Sequence, residues 1–206
     1  MKGRFAALFV VVSVFCLLVS GAQASKVLFE DKFATLDPGW GEPGNIINVK
    51  DNKLVLAPDI NTSQTVLYQA NLFTGDLEVS ATVSVVKADD LTFGGGLVFW
   101  GKDYSEYYAV LITADGYFVV QRHIGGRFLA PVTWRENASI KKGVGAENQL
   151  RILTKGNQGK LYINGTEVVT FSGTPPQGGS IIGVRGGSPS QGQNVYSFSD
   201  LKVLQP

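Results

Sequence analysis

Aromatic rings and carboxylates are the side chains with which this sequence could do chemistry. His123 is its single histidine and Cys16 its single cysteine. Sites built from histidine and thiolate, and with them the usual transition-metal centres, are therefore excluded. No Gly-x-Ser-x-Gly elbow surrounds any serine, so His123 has no marked nucleophile to activate. Hydrolysis of a glycosidic bond by two carboxylates needs them about 5 Å apart for retention, or about 6.5–9.5 Å for inversion. Glu78 is the nearest strand candidate, yet its same-face neighbours Ser80, Thr82 and Ser84 carry no acid. A partner would have to come from elsewhere, such as Asp103 or Glu106; otherwise Glu78 is an ordinary polar strand residue. Calcium needs only oxygen ligands, and Asp89-Asp90, Asp31 and Asp200 are candidates, with a solvated turn as the plain alternative for Asp89 and Asp90. The rings make the stronger case. Trp100, Tyr104 and Tyr107 bracket a polar loop, and Arg122, His123 and Trp134 follow on the next strands or turns. Sugars present apolar C–H faces that stack on such rings, and hydroxyls that need planar polar partners. The competing reading puts Trp100 and Trp134 in the core, and Trp40 more readily still, since aromatics are common there.

The elements that must position these residues are strands. Leu77–Val85 alternates apolar and polar residues, which predicts one buried and one wet face, the wet one carrying Glu78, Ser80, Thr82 and Ser84. Turn residues recur about every ten positions. Asp115-Gly116 separates Tyr107–Thr113 from Tyr117–Arg122, and Asn164-Gly165 separates Lys160–Ile163 from Glu167–Phe171. Asp51-Asn52 and Gly125-Gly126 mark two further hairpins. Tyr107–Thr113 and Tyr117–Arg122 are apolar on both faces, so they lie centrally, one face in the core and the other under a cover of loops, subunit or ligand. The ending Phe198–Val203 echoes the opening Leu28–Phe33, so the first and last strands should pair and close the domain. Many short strands with this punctuation imply a sandwich or barrel.

The N-terminus reads as an address. Lys2 and Arg4 precede an apolar run from Phe5 to Val19, and Ser20–Ala24 ends in a small-x-small pattern. That is the layout of a secretory signal peptide cleaved after Ala24, and the run is shorter than the ~20 residues of a membrane span. Residues 25–206 remain as one domain, 182 of the 206, large enough to fold on its core alone. Cys16 leaves with the signal, so no disulfide contributes. Of 18 basic residues two leave as well, against 17 acidic ones, for a net charge of −1. With no basic run, nucleic acid and anionic lipid are excluded as natural partners. No later stretch could span a membrane. The destination is extracytoplasmic, secreted or periplasmic. Three Asn-x-Ser/Thr triplets, at Asn61, Asn137 and Asn164, would matter only in a eukaryotic secretory route.

The ordered set Phe29-Glu30-Asp31-Lys32-Phe33 with Trp40, Gly95–Phe99, Tyr107–Phe118, and Asn148–Ile152 followed by Leu161–Gly165 resembles the concanavalin A-like lectin/glucanase superfamily. Laminin-G-like jelly rolls belong to that group. The opening and Trp40 are similar to the 3-keto-disaccharide hydrolase-type domains, although those carry Glu-x-Gln on a central strand where this chain reads Tyr108-Ala109-Val110-Leu111. The resemblance implies an all-β fold, a two-sheet antiparallel jelly-roll sandwich over 25–206. Many jelly rolls of this group bind calcium, which adds weight to Asp89 and Asp90; no other cofactor is implied. Its glucanases carry a Glu-x-Asp-x-Glu-like string on one strand, and this chain has none. The expectation is a non-catalytic module for glycan or cell-envelope polysaccharide, with Trp100, Tyr104, Tyr107, Arg122, His123 and Trp134 as its ligand-binding set. A glycan hydrolase using Glu78, and a structural adhesion module, are the alternatives, because one fold hosts many functions.

Overall fold

A computed structural model describes residues 25–206, so residues 1–24, which the sequence leads one to expect as a signal peptide, lie outside the described residues. Two antiparallel sheets enclose one core. The first sheet has eight strands. They are β1 (Lys26–Asp31), β2 (Ile47–Lys50), β3 (Lys53–Leu56), β5 (Glu78–Lys87), β10 (Glu147–Lys155), β11 (Gln158–Ile163), β12 (Thr166–Ser172) and β14 (Val195–Gln205). The second has six: β4 (Ser63–Leu67), β6 (Gly95–Asp103), β7 (Glu106–Ile112), β8 (Tyr117–Ile124), β9 (Arg127–Glu136) and β13 (Ile181–Gly187). Its order across the sheet is β4-β13-β6-β7-β8-β9.

The expected closure is present: β1 pairs antiparallel with β14, Lys26 opposite Gln205 and Asp31 opposite Leu201. The tight turns follow their chemistry. Asp51 and Asn52 (φ 52° and 55°) join β2 to β3, and Asn164 and Gly165 (φ 51° and 83°) join β11 to β12. Positive φ at both central residues gives the twist that two-residue hairpins need.

Alternation decides the faces. On β5, Val79, Ala81, Val83 and Val85 enter the core, leaving Glu78, Ser80, Thr82 and Ser84 outside. Ser80 and Ser84 are nonetheless buried, Ser80 because it lies in register between the longer Arg151 and Lys202. On β7, Tyr108, Val110 and Ile112 are core. Tyr107, Ala109 and Leu111 form a separate buried cluster with Leu67, Val98 and Val119 on the outer face of the six-stranded sheet. That face positions the site.

One position breaks the alternation. Trp100 sits at φ 46°, where the register of β6 shifts against both β7 and β13. A bulge of this kind re-aims side chains, and here Phe99 and Trp100 both turn into the core.

Candidate ligand groove on the six-stranded sheet

Small residues hollow out this outer face. Thr65, Arg185, Gly96, Leu111 and Val119 lie side by side across five strands, and Leu67, Gly183, Val98, Ala109 and Gln121 form the next row. Two depressions of about 250 and 350 Å3 flank this floor, and both are lined by Ser63 and Arg185.

Trp134 of β9 walls the first. It remains 44% exposed while its Cη2 atom lies 3.0 Å from where a Cβ on Gly94 would stand. Glycine at 94 thus lets the indole rest on the sheet beside Leu111. Gln121 and Thr92 supply polar groups alongside. A third recess continues past Trp134 to Thr113, Asp115 and Tyr117. Asp115 there accepts a hydrogen bond from the Thr113 hydroxyl.

The second depression is built by Gln64, Thr65, Tyr104, Tyr107, His123 and Phe128 around Arg185. Tyr104, half exposed, projects from the β6–β7 turn and accepts a 3.3 Å hydrogen bond from Gln69 Nε2. The turn is fixed by Asp103, whose Oδ1 accepts from the Ser105 hydroxyl, the Ser105 N–H and the Glu106 N–H, holding its carboxyl below the usual range. His123 packs at a tilt against Tyr107 (5.1 Å between centroids) and Phe128 (4.6 Å), and its Nδ1 is buried without a hydrogen-bond partner.

Arg185 is the centre of this arrangement. It is only 7% exposed, and its Nη1 donates to Thr65 Oγ1 at 2.5 Å and to Tyr107 Oη at 2.9 Å. The guanidinium lies 4.6 Å from the Phe128 ring centroid and 6.0 Å from that of Tyr107. No carboxylate among the described residues forms an ion pair with it. Burial pulls its pKa below the ordinary arginine value, but an arginine stays charged at any working pH. Cation–π contacts return about 0.5–2 kcal/mol each, whereas burying a charge costs several kcal/mol. The rings offset only part of that cost.

The structure brings four of the expected residues together: Tyr104, Tyr107, His123 and Trp134 all face this groove. It places Trp100 and Arg122 elsewhere. Trp100, 3% exposed, packs edge-on against Tyr108 (5.2 Å) and Phe171 (6.2 Å). Arg122 pairs in register with the inward-facing Tyr108 and holds Glu106 at 2.8 Å. Glu78 lies on the other sheet, its Oε2 3.0 Å from Arg151 Nη1. Trp40 is core, its Nε1 donating to Asp31 Oδ2 at 2.9 Å.

The four candidate aspartates are each engaged by donors of the protein itself. Asp89 Oδ2 accepts from the Gln193 N–H and Asp90 Oδ1 from the Thr92 N–H and hydroxyl, each held acidic by those donors. Asp31 is taken by Phe33 and Trp40, and Asp200 by Lys32. Among the described residues no three His, Cys, Asp or Glu side chains converge.

Arg185 and Phe128 are the groove residues that reading the sequence missed. Arg185 did carry a signal: it is the single charge in the apolar strand Ile181–Gly187. Phe128 follows the Gly125-Gly126 turn in a strand whose other residues, Val132 apart, are largely exposed.

No protein-family profile matches this chain, and no curated protein matches it in sequence. Solved structures match in fold. The carbohydrate binding module CBM66 from Bacillus subtilis aligns at a TM-score of 0.59 and 12% identity, over 73% of this chain and 85% of that one. The catalytic domain of an endo-1,3-beta-glucanase (laminarinase) from Thermotoga petrophila RKU-1 aligns at 0.63 and 10% identity, over 88% and 98%. The GH43 protein BlXynB from Bacillus licheniformis aligns at 0.65 and 12%, over 86% of this chain but 39% of its own. The fold is therefore the two-sheet antiparallel jelly-roll sandwich shared with these structures.

Proposed function

We propose that this chain is an extracytoplasmic carbohydrate-binding jelly roll, secreted or periplasmic after loss of residues 1–24, and that it takes up glycan or cell-envelope polysaccharide on the outer face of the six-stranded sheet. The observation that carries this reading is Trp134. A half-exposed indole held against a rigid sheet by Gly94 and Leu111, with Gln121 and Thr92 beside it, has the amphipathic layout that stacks a sugar ring and orients its hydroxyls. Similarity of fold to a carbohydrate binding module and to glucan-hydrolase domains supports a glycan as the ligand class. No helix of the described residues is long and apolar enough to cross a membrane.

Binding is favoured over hydrolysis by where the carboxylates stand. Asp115 is the one acid lining the three recesses of this face. Glu78 points from the opposite sheet and is engaged by Arg151. A two-carboxylate mechanism has no pair here to work with.

A glycan array probed with the purified protein and with Trp134→Ala tests the reading. The expected result is a defined set of hits that weaken at least tenfold in the variant, with its melting temperature nearly unchanged because the ring is half exposed. Hits retained at full strength in Trp134→Ala would remove the groove from the account.

A further inference from the structure

Resting on that reading, we propose that the glycan recognised here is anionic, a uronic-acid saccharide whose carboxylate docks on the free edge of the Arg185 guanidinium. The arginines of this protein supply the contrast. Arg122 and Arg151 are partly buried, and each holds a glutamate, Glu106 at 2.8 Å and Glu78 at 3.0 Å. Arg185 is more buried than either and holds none. Its protein hydrogen bonds all come from Nη1, to Thr65 and Tyr107. Nη2 and Nε make none, and neither is among the sealed, unpartnered atoms of the structure. Two donors therefore remain on one planar edge, the arrangement that accepts a carboxylate bidentately.

The surroundings favour the same ligand. Arg185 stands where the two depressions meet, so an anion there would be continuous with a sugar ring resting on Trp134. Neither of those depressions is lined by an Asp or Glu, and nothing in them would repel a carboxylate. The hydroxyls of Ser63 and Tyr104 and the amides of Gln64 and Gln121 add neutral donors. Phe128 covers the guanidinium and shields it from water, which strengthens any charge pairing beneath it.

Isothermal titration of the whole protein with a panel of uronic-acid oligosaccharides, their carboxyl-reduced neutral counterparts and sulfated oligosaccharides of equal length tests this. The uronic acids should bind at least about 30-fold more tightly than the reduced forms, the loss typical of leaving a buried charge without its partner. Arg185→Gln should erase that preference while weak binding of the neutral sugars persists, and Arg185→Lys should restore part of it. Equal affinity for charged and reduced sugars overturns the proposal, and does so on the unmutated protein even if Arg185→Gln fails to fold. Stronger binding of the sulfated series assigns the edge to sulfate and overturns the carboxylate. Binding of neutral sugars with no charge preference overturns this inference alone; binding of no sugar at all removes the glycan reading with it.

Discussion

The two sheets present outer faces of the same architecture and treat charge in opposite ways. On the eight-stranded sheet every half-buried charge has a partner. Glu78 meets Arg151, whose guanidinium lies 3.8 Å over the Tyr162 ring, and Tyr162 Oη donates to Glu167 at 2.9 Å. Lys53 meets Glu147 at 2.6 Å, and Lys202 meets Glu30 at 3.3 Å. Solvent-screened pairs like these are worth about 0–1 kcal/mol each; their effect is to keep a broad sheet wetted. The six-stranded sheet carries instead an apolar floor, exposed rings and a buried arginine without a carboxylate. Strand alternation builds both faces equally well, so it cannot tell them apart. Whether the charges are paired can.

Supplying the missing partner is the strongest way to break this contrast. Thr65 Oγ1 already lies 2.5 Å from Arg185 Nη1, so Thr65→Asp would give the arginine an internal carboxylate of nearly the same size. The expected result is a loss of glycan affinity of about 30-fold or more, without a fall in melting temperature, because the new pair satisfies a charge that was buried alone. Titration and a thermal melt check the two halves, and undiminished affinity in Thr65→Asp would show that Arg185 takes no part in binding.

At the other end of the scale lies Glu78→Gln. On the eight-stranded face it removes one partly screened pair, so stability should fall by no more than about 1 kcal/mol and glycan affinity should not change. Denaturant melts with parallel titrations measure both. A glycan-cleaving activity present in the parent and lost in this variant would reverse the assignment of the two faces.

Much of the fold could be read from residue order. The turn pairs Asp51-Asn52 and Asn164-Gly165 specify their hairpins by backbone chemistry alone, and the echo between Leu28–Phe33 and Phe198–Val203 becomes the β1–β14 pairing. The groove was legible where alternation holds: Tyr107 and His123 pair directly across β7 and β8 and share the outer face. Trp100 escaped because the bulge at φ 46° reverses its direction, and no local pattern announces it. Arg122 escaped by parity, since it is one residue from His123 and so faces the other way. Arg185 stands out in an apolar strand, but its partner Thr65 is 120 residues away. That juxtaposition is made by the pairing of β13 with β4, which depends on the whole sheet.

Amide chemical-shift mapping with a bound glycan tests the central claim, that the outer face of the six-stranded sheet is the binding face, most directly. The predicted shifts cluster at Thr65, Leu111, Gln121, His123 and Arg185, with the Trp134 indole N–H among the largest. Shifts centred instead on Arg151, Tyr162 and Glu167 of the eight-stranded sheet would contradict the account.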